Sequence, residues 1–448
     1  MQIEKYILSN YDKVKINSND IVEGDVFIAL QGKNIHGNSF IKDALKKGAK
    51  FIITEKRTTN TNNIIKVNDV KKFLLELAKS KRQLFKGEVI AITGSIGKTS
   101  VKENLKYFLS SLANVSSSIK SYNNYLGVII SILNMNLSSN FAIFEIGTNN
   151  FNEIKKLSLI VLPSQSIITN IYPTHLKNFL NTKNIAIEKS DIFYNSKLIK
   201  LAILPNSNKD EKLLSLIAKS KKIKNVITFG KLVNSKIIIV KNIKIENNLR
   251  KIIFKYEKKN EDIILSNDNF YKINNILICY AIFKFNNLNI KTFKSLALDI
   301  PLVEGRGLVH EITFYSRKIT FIDESYNASP ESMKTTINYF SKIKIFNTQK
   351  KYLILGDMKE LGENSLNFHI KLLNQLKSKK VDHIIICGEL MKLALKKIDN
   401  KKILKMDINT VLKYLKSNII SGDILLIKGS NTESTNNLAK MLLNRKAI

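Results

Sequence analysis

The segment 88–93, EVIAIT, runs without a break into Thr93-Gly94-Ser95-Ile96-Gly97-Lys98-Thr99-Ser100. Beyond it, Val101, Leu105, Phe108 and Leu112 keep helical spacing. A continuous apolar strand is buried on both faces, and one that feeds a glycine-bearing turn and a helix is a building block of a mostly parallel α/β sheet. The turn carries chemistry of its own. Its glycines let the backbone curl so that N–H groups face phosphate oxygens, and the helix start adds a partial positive charge. Lys98 is placed to reach terminal phosphates, and the Thr99 hydroxyl suits Mg²⁺. The spacing is G-x-x-G-K-T, shorter than the common G-x-x-x-x-G-K-T, because Ile92 stands where that pattern has glycine. An ordinary glycine-rich turn is the alternative, and the strand, the GKT and the amphipathic helix together favour phosphate binding.

The remaining pattern divides the chain into three α/β units. Residues 1–86 hold strands at 25–31 and 51–54, an amphipathic stretch at 40–47, and a helical stretch at 70–85 ending in KSKR, read as a linker. Residues 87–304 add buried strands at 141–147, 165–171 and 201–205, then charge-flanked segments over 231–270 that read as an antiparallel meander. Residues 305–448 alternate strands at 318–325, 351–357, 382–388 and 423–429 with helices, which predicts a doubly wound, Rossmann-like unit with ligands at the carboxyl ends of its strands. The expected architecture is a small α/β amino-terminal domain, a central P-loop-type domain with a mostly parallel sheet, and the Rossmann-like domain.

The chain carries 72 Lys plus Arg against 37 Asp plus Glu, a formal charge of +35, which raises nucleic acid or an anionic membrane as partners. Lysines are spread over every segment, only six arginines occur, and no basic stripe interleaves with aromatics. The excess therefore reads as compositional bias, and neither nucleic acid nor membrane is expected as a partner. The two cysteines, Cys279 and Cys387, sit in apolar runs and read as buried thiols in a reducing compartment. The opening MQIEKYILSNYDKVK lacks an apolar signal region, so the cytoplasm is the expected location.

Other positions carry chemistry with an open alternative. Glu145 ends a buried strand in FEIGTNN, where a carboxylate can hold Mg²⁺ or simply be a surface acid. His175, in TNIYPTHL, is either a metal ligand or a structural loop histidine. Lys189, in IAIEKSDIF, would ordinarily snorkel to the surface. Arg306, between Gly305 and Gly307, suits bidentate phosphate contact or is an incidental charge on a hinge. In Asp323-Glu324-Ser325-Tyr326-Asn327-Ala328-Ser329-Pro330 the acids can accept ribose hydroxyls, or the stretch is a helix cap followed by proline.

In this order the pieces resemble the Mur ligase family, the ATP-dependent amino-acid ligases of peptidoglycan synthesis. The stretches that carry the resemblance are ITGSIGKTSVKENL, NNYLGV, EIGTNNFNEI, TNIYPTHL, IAIEKSDIF, GRG, DESYNASPESM, LGDMKELGENS and KGS, with GDVFIALQGKNIHG nearer the start. DESYNASP and LGDMKELGE are similar to the member that adds D-alanyl-D-alanine to UDP-N-acetylmuramoyl-tripeptide. The resemblance implies an enzyme, most simply a monomer, using ATP and Mg²⁺ through an acyl phosphate.

It also implies site residues. Thr93 to Ser100, Asn275, Arg306, Asp323, Glu324, Tyr326 and Asn327 would bind ATP, with Asn275 on adenine and Arg306 on the phosphates. Thr99, Glu145, His175 and Lys189, the last as a carbamate, would hold metal. Lys98, His175, Lys189 and Arg306 would be catalytic. Ser18, Asn123, Asn124, Lys428 and Ser430 would lie on the substrate side. Residues 1–86 would bind the UDP substrate, and 305–448 would bind the dipeptide and close on ATP.

Four positions depart from the family pattern. Asn17-Ser18-Asn19 replaces D-S-R, Tyr271 replaces a histidine before the adenine asparagine, Ile129 replaces a proline, and His36-Gly37-Asn38 replaces D-G-H. A sister ligase for another amino acid and a folylpolyglutamate synthase-like ligase are the rivals within the superfamily. A P-loop GTPase is disfavoured by the loop spacing and the lack of N-K-x-D.

Overall fold

The structure is a computed structural model that describes residues 2–444 apart from 33–34, 57–62, 120, 247–248, 267–271, 304, 347, 399 and 431–433; Tyr271 and Glu304 thus lie outside the described residues. The first sheet is parallel throughout, β1 (Val14–Lys15), β2 (Val26–Ala29), β3 (Phe51–Thr54) and β4 (Ile64–Lys66) in sequence order. The second comprises β5 (Glu88–Thr93), β6 (Val115–Ser117), β7 (Phe141–Glu145), β8 (Gln165–Ile168), β9 (Leu201–Pro205), β10 (Asn225–Phe229), β11 (Ile237–Lys244), β12 (Leu249–Tyr256) and β13 (Lys259–Ser266). Their order is 13-12-11-10-9-8-5-7-6. Pairing is parallel from β6 across to β11 and antiparallel for the last three strands. The expected meander is therefore real, and it extends the central sheet rather than standing apart.

The third sheet has β14 (Leu308–Phe314), β15 (Arg317–Glu324), β16 (Lys351–Leu355), β17 (His383–Ile386), β18 (Ile403–Lys405) and β19 (Ile424–Lys428), ordered 14-15-19-16-17-18. Only β14 runs antiparallel to its neighbour. The mixed α/β class with parallel-rich sheets is as expected.

Strand alternation explains how the central sheet is buried. Along β5, Val89 and Ala91 face one apolar cluster while Ile90 and Ile92 face another. The topology also positions a site. Strand order reverses on either side of β5, with β8 to one side and β7 to the other, so the loops after these three strands open a crevice at their carboxyl ends. In the third sheet β19 sits between β15 and β16, which gathers the loops after those strands in the same way.

The KSKR run is not a linker. It lies inside the helix Val70–Leu84, and Lys81 is fully buried. Its ammonium donates to three backbone carbonyls, Ile7 (2.9 Å), Asn10 (2.5 Å) and Leu133 (2.6 Å). Arg82 donates to the carbonyls of Val161 (2.6 Å) and Leu162 (2.7 Å). These cations satisfy helix-end and loop carbonyls that a buried junction would otherwise leave unpaired. No helix among the described residues is long and apolar enough to cross a membrane.

Candidate active site

The glycine-bearing loop leaves β5 and enters the helix Lys98–Ser110, with Gly97 in a left-handed conformation at its start. Gly94 also has positive φ, and a Cβ there would lie 1.9 Å from Thr169 Oγ1, so only glycine lets the loop pass β8. The loop is pinned from that side. Asn170 Oδ1 accepts from Ile96 N–H (2.9 Å), Asn170 Nδ2 donates to Ile96 O (2.9 Å), and Ser95 Oγ donates to Tyr172 O (2.9 Å). Ser95 N–H is spent on Asn170 O (3.1 Å). The anion-facing donors are therefore those of the first helical turn, which no side chain caps. The Lys98 ammonium folds back onto Gly94 O (2.8 Å) and Ser95 O (3.4 Å). Burial pushes it below the ordinary lysine value; Glu145 opposes that shift and Arg306 adds to it.

A cavity of about 310 Å³ opens over this loop, between the second and third sheets. Thr99 Oγ1 donates to Glu145 Oε2 (2.6 Å) and accepts from Arg306 Nη2 (3.0 Å). Asn123 Nδ2 holds the other oxygen, Glu145 Oε1 (2.7 Å). Arg306 also stacks over the Tyr326 ring at 4.4 Å, and the Tyr326 hydroxyl bonds Ser121. Asn275, in the helix Ile273–Phe285, packs against Gly97 in the cavity wall, its Oδ1 3.4 Å from where a Cβ on Gly97 would lie. Glu324 accepts from Lys428 Nζ (3.1 Å), which also donates to Asn327 O (3.0 Å). A P-loop on one sheet thus meets an arginine and a tyrosine delivered from the other.

A second cavity shares Ser95, Lys98 and Asn123 with the first and is lined by His175. Lys189 is not a surface lysine. It lies at the end of the helix Thr182–Ser190 and is 2% exposed, with no hydrogen-bond partner for its ammonium among the described residues. Burial, reinforced by Lys98, drives it well below the lysine range against the pull of Glu188. Glu188 itself is occupied, accepting from the N–H groups of Asn152 (2.7 Å) and Ile154 (2.9 Å).

Several expected residues stand elsewhere. Asp323 turns inward, its Oδ1 accepting from Ser325 N–H (3.0 Å), because the backbone after β15 needs a turn there. Asn124 caps the helix Tyr125–Leu133 through Gly127 N–H (2.8 Å). Ser430 Oγ donates to Asp357 O (3.0 Å), which fixes a loop rather than lining the large cavity. Ser18 lies in the first unit, where its carbonyl accepts from Lys47 (3.0 Å). Thr93 ends β5 below the loop, fully buried.

Other lining residues carried no local signal. Lys272, half-buried, donates to Arg306 O (3.1 Å), and desolvation lowers its pKa to about 8. Glu211 ties the loops after β8 and β9 together by accepting from Ile171 N–H (3.2 Å) and Ser207 N–H (2.7 Å), and burial raises its pKa.

Fold and site together define a P-loop nucleotide-binding protein whose phosphate crevice is completed by a separate α/β unit. Three family models match in succession: the Mur ligase family catalytic domain at residues 10–82, the Mur ligase middle domain at 92–283, and the Mur ligase glutamate ligase domain at 310–431. The UDP-N-acetylmuramoyl-tripeptide--D-alanyl-D-alanine ligase of Rickettsia prowazekii is 33% identical over 94% of this chain and 93% of its own length. The enzyme of that name from Buchnera aphidicola is 30% identical over 93% and 89%. Among solved structures, a MurF ligase from Thermotoga maritima in complex with ADP superposes with a TM-score of 0.77 at 28% identity, covering 98% of this chain and 99% of that one. MurF from Acinetobacter baumannii shares the fold at a TM-score of 0.80 and 23% identity, over 99% and 98%. The chain belongs to the Mur ligase family.

Proposed function

We propose that this chain is an ATP-dependent ligase that joins D-alanyl-D-alanine to UDP-N-acetylmuramoyl-tripeptide in the cytoplasm, as a monomer. The observation that carries the reading is the Arg306–Thr99–Glu145 chain, which links the third unit's hinge to the phosphate loop and to a strand-end carboxylate. Residues 1–86 hold the UDP end of the substrate, 87–304 the nucleotide, and 305–448 the incoming dipeptide. Asn123 and Lys428 face the reacting groups, with Asn124, Ser18 and Ser430 outside that ring.

Phosphate oxygens of ATP enter at the first turn after Gly97, and Arg306 and Lys98 leave their present partners to take them. Both cations draw charge from the γ-phosphate as the tripeptide carboxylate attacks it. ADP leaves, and an acyl phosphate remains. The dipeptide amine then attacks the acyl carbon, phosphate departs, and the amine loses its proton. Closure of the third unit over the crevice excludes water that would hydrolyse the acyl phosphate.

Thr99 and Glu145 place two hard oxygens 2.6 Å apart at the crevice, a donor pair suited to Mg²⁺. No group of three His, Cys, Asp or Glu gathers as a metal set among the described residues, so nucleotide oxygens and a carbamate would complete the shell. When bound, Mg²⁺ neutralises charge on the transferring phosphate. Lys189 fits the carbamate role because burial pushes its amine well below the lysine range, which favours the uncharged form that reacts with CO₂.

The test is ADP release with Mg·ATP, UDP-N-acetylmuramoyl-tripeptide and D-alanyl-D-alanine, omitting each in turn. Release should require all three, and Lys98→Ala should reduce it at least about 10³-fold. Release with a single amino acid in place of the dipeptide would make the chain a sister ligase.

A further inference from the structure

The LGDMKELGE stretch forms a loop after β16 that is mounted rigidly within the third unit. Met358 N–H donates to His369 Nε2 (3.0 Å), whose other nitrogen bonds Ser365 O (2.7 Å), and Lys359 N–H donates to Ser430 Oγ (3.2 Å). From this mount Glu360 reaches across to the second unit, where its Oε2 lies 2.6 Å from His175 Nδ1. Both residues hold left-handed backbone, φ +63° and +50°, although neither is glycine. Such conformations persist only where the surroundings enforce them, and they concentrate at working sites. Gly362, also left-handed, packs within 3.1 Å of Lys177 N at its Cβ position, so the loop is seated against the turn that follows His175.

We propose that Glu360 is a positioning residue that orients His175, so that this histidine presents Nε2 to the catalytic crevice only while the third unit is docked; this rests on the ligase reading above. An ionised carboxylate can only accept, so the His175 nitrogen facing it must be Nδ1–H. In the neutral imidazole that fixes the tautomer and leaves the Nε2 lone pair for the cavity that His175 and Lys98 line together. The side chains are 26% and 59% exposed, and a pair this open adds little to stability, so its effect falls on geometry. The contact spans two sheets, and opening the crevice releases the histidine.

The experiment uses the full chain with Glu360→Ala and Glu360→Gln. Glu360→Ala should lower kcat about 10–100-fold while the KM for ATP and Tm stay near wild type, and Gln, which keeps an acceptor, should recover part of the loss. The double variant with His175→Ala should be no slower than His175→Ala alone. Independently of turnover, NMR of ¹⁵N-histidine-labelled protein, with His175 assigned by its loss in His175→Ala, should show the Nδ1–H tautomer in wild type and a tautomer mixture in Glu360→Ala. Wild-type kcat in Glu360→Ala, losses that multiply in the double variant, or unchanged His175 ring shifts would overturn the proposal. If the wild type does not turn over the named substrates, the ligase reading fails, and the ring shifts still judge Glu360.

Discussion

Where the first unit meets the second, one apolar cluster runs from Ile3, Ile28 and Leu74 through to Val89, Val128 and Phe144, whereas the third unit keeps separate clusters of its own on the two faces of its sheet. The polar contacts differ in the same sense. At the first joint, Lys81, Arg82 and the side-chain amide of Asn134 are spent on backbone groups, Asn134 pairing with both the N–H and the carbonyl of Val14 (2.8 Å each). At the second joint, Arg306, Tyr326, Lys272 and Glu360 meet side chains or loops beside open cavities. Each fully buried aliphatic side chain contributes about 1.5–3 kcal/mol, whereas an exposed ion pair contributes about 0–1 kcal/mol. The first joint is thereby sealed by buried apolar and backbone contacts, and the second is held by polar contacts beside cavities.

The sharpest way to break this contrast is Lys81→Met. The substitution keeps the buried stem but strands the carbonyls of Ile7, Asn10 and Leu133 without their donor, and should cost about 3 kcal/mol in urea unfolding. The first and second units should still unfold in one transition because their apolar cluster is continuous. A cost below about 0.5 kcal/mol, the range of ordinary surface changes, would show that the apolar cluster alone holds the joint.

A smaller effect separates the joints by pH. Burial holds the His369 pKa below its ordinary 6.5, with Asp357, 3.9 Å away, opposing and Lys359 assisting. The unfolded chain therefore binds the proton more readily, so this group's contribution to stability is complete above 6.5 and falls as the pH drops below it. Protonation also removes the acceptor for Met358 N–H. Hydrogen exchange in 351–362, corrected for intrinsic rates, should quicken between pH 7.5 and 5.5, while 81–92 stays protected. Equal loosening of both segments would erase the contrast.

Much of the fold was legible because it is written locally. The strand into G-x-x-G-K-T, the apolar runs of β7, β9, β16 and β19, and the strand-end position of Glu145 need only neighbouring residues to be read. What escaped depends on distant partners. Lys81 reads as a surface charge in KSKR until the carbonyls of Ile7, Asn10 and Leu133 arrive from three other segments. Lys189 sits in a helix whose pattern gives no hint of full burial. Glu211 joins its own neighbouring loop to Ile171, forty residues away, and β1 and β6, two and three residues long, are too short for any period to register. Asp323 reads locally as an acceptor for ribose hydroxyls at an acid-rich strand end, and the turn after β15 claims it instead.

The most direct measurement is backbone hydrogen exchange of the full chain with and without a non-hydrolysable ATP analogue and Mg²⁺. The expected result is new protection at 93–100 together with 305–307 and 324–329, on both sides of the second joint, and no change at 7–10 and 81–85. Protection confined to the phosphate loop, or absent from the third unit altogether, would contradict a nucleotide site built between the two sheets.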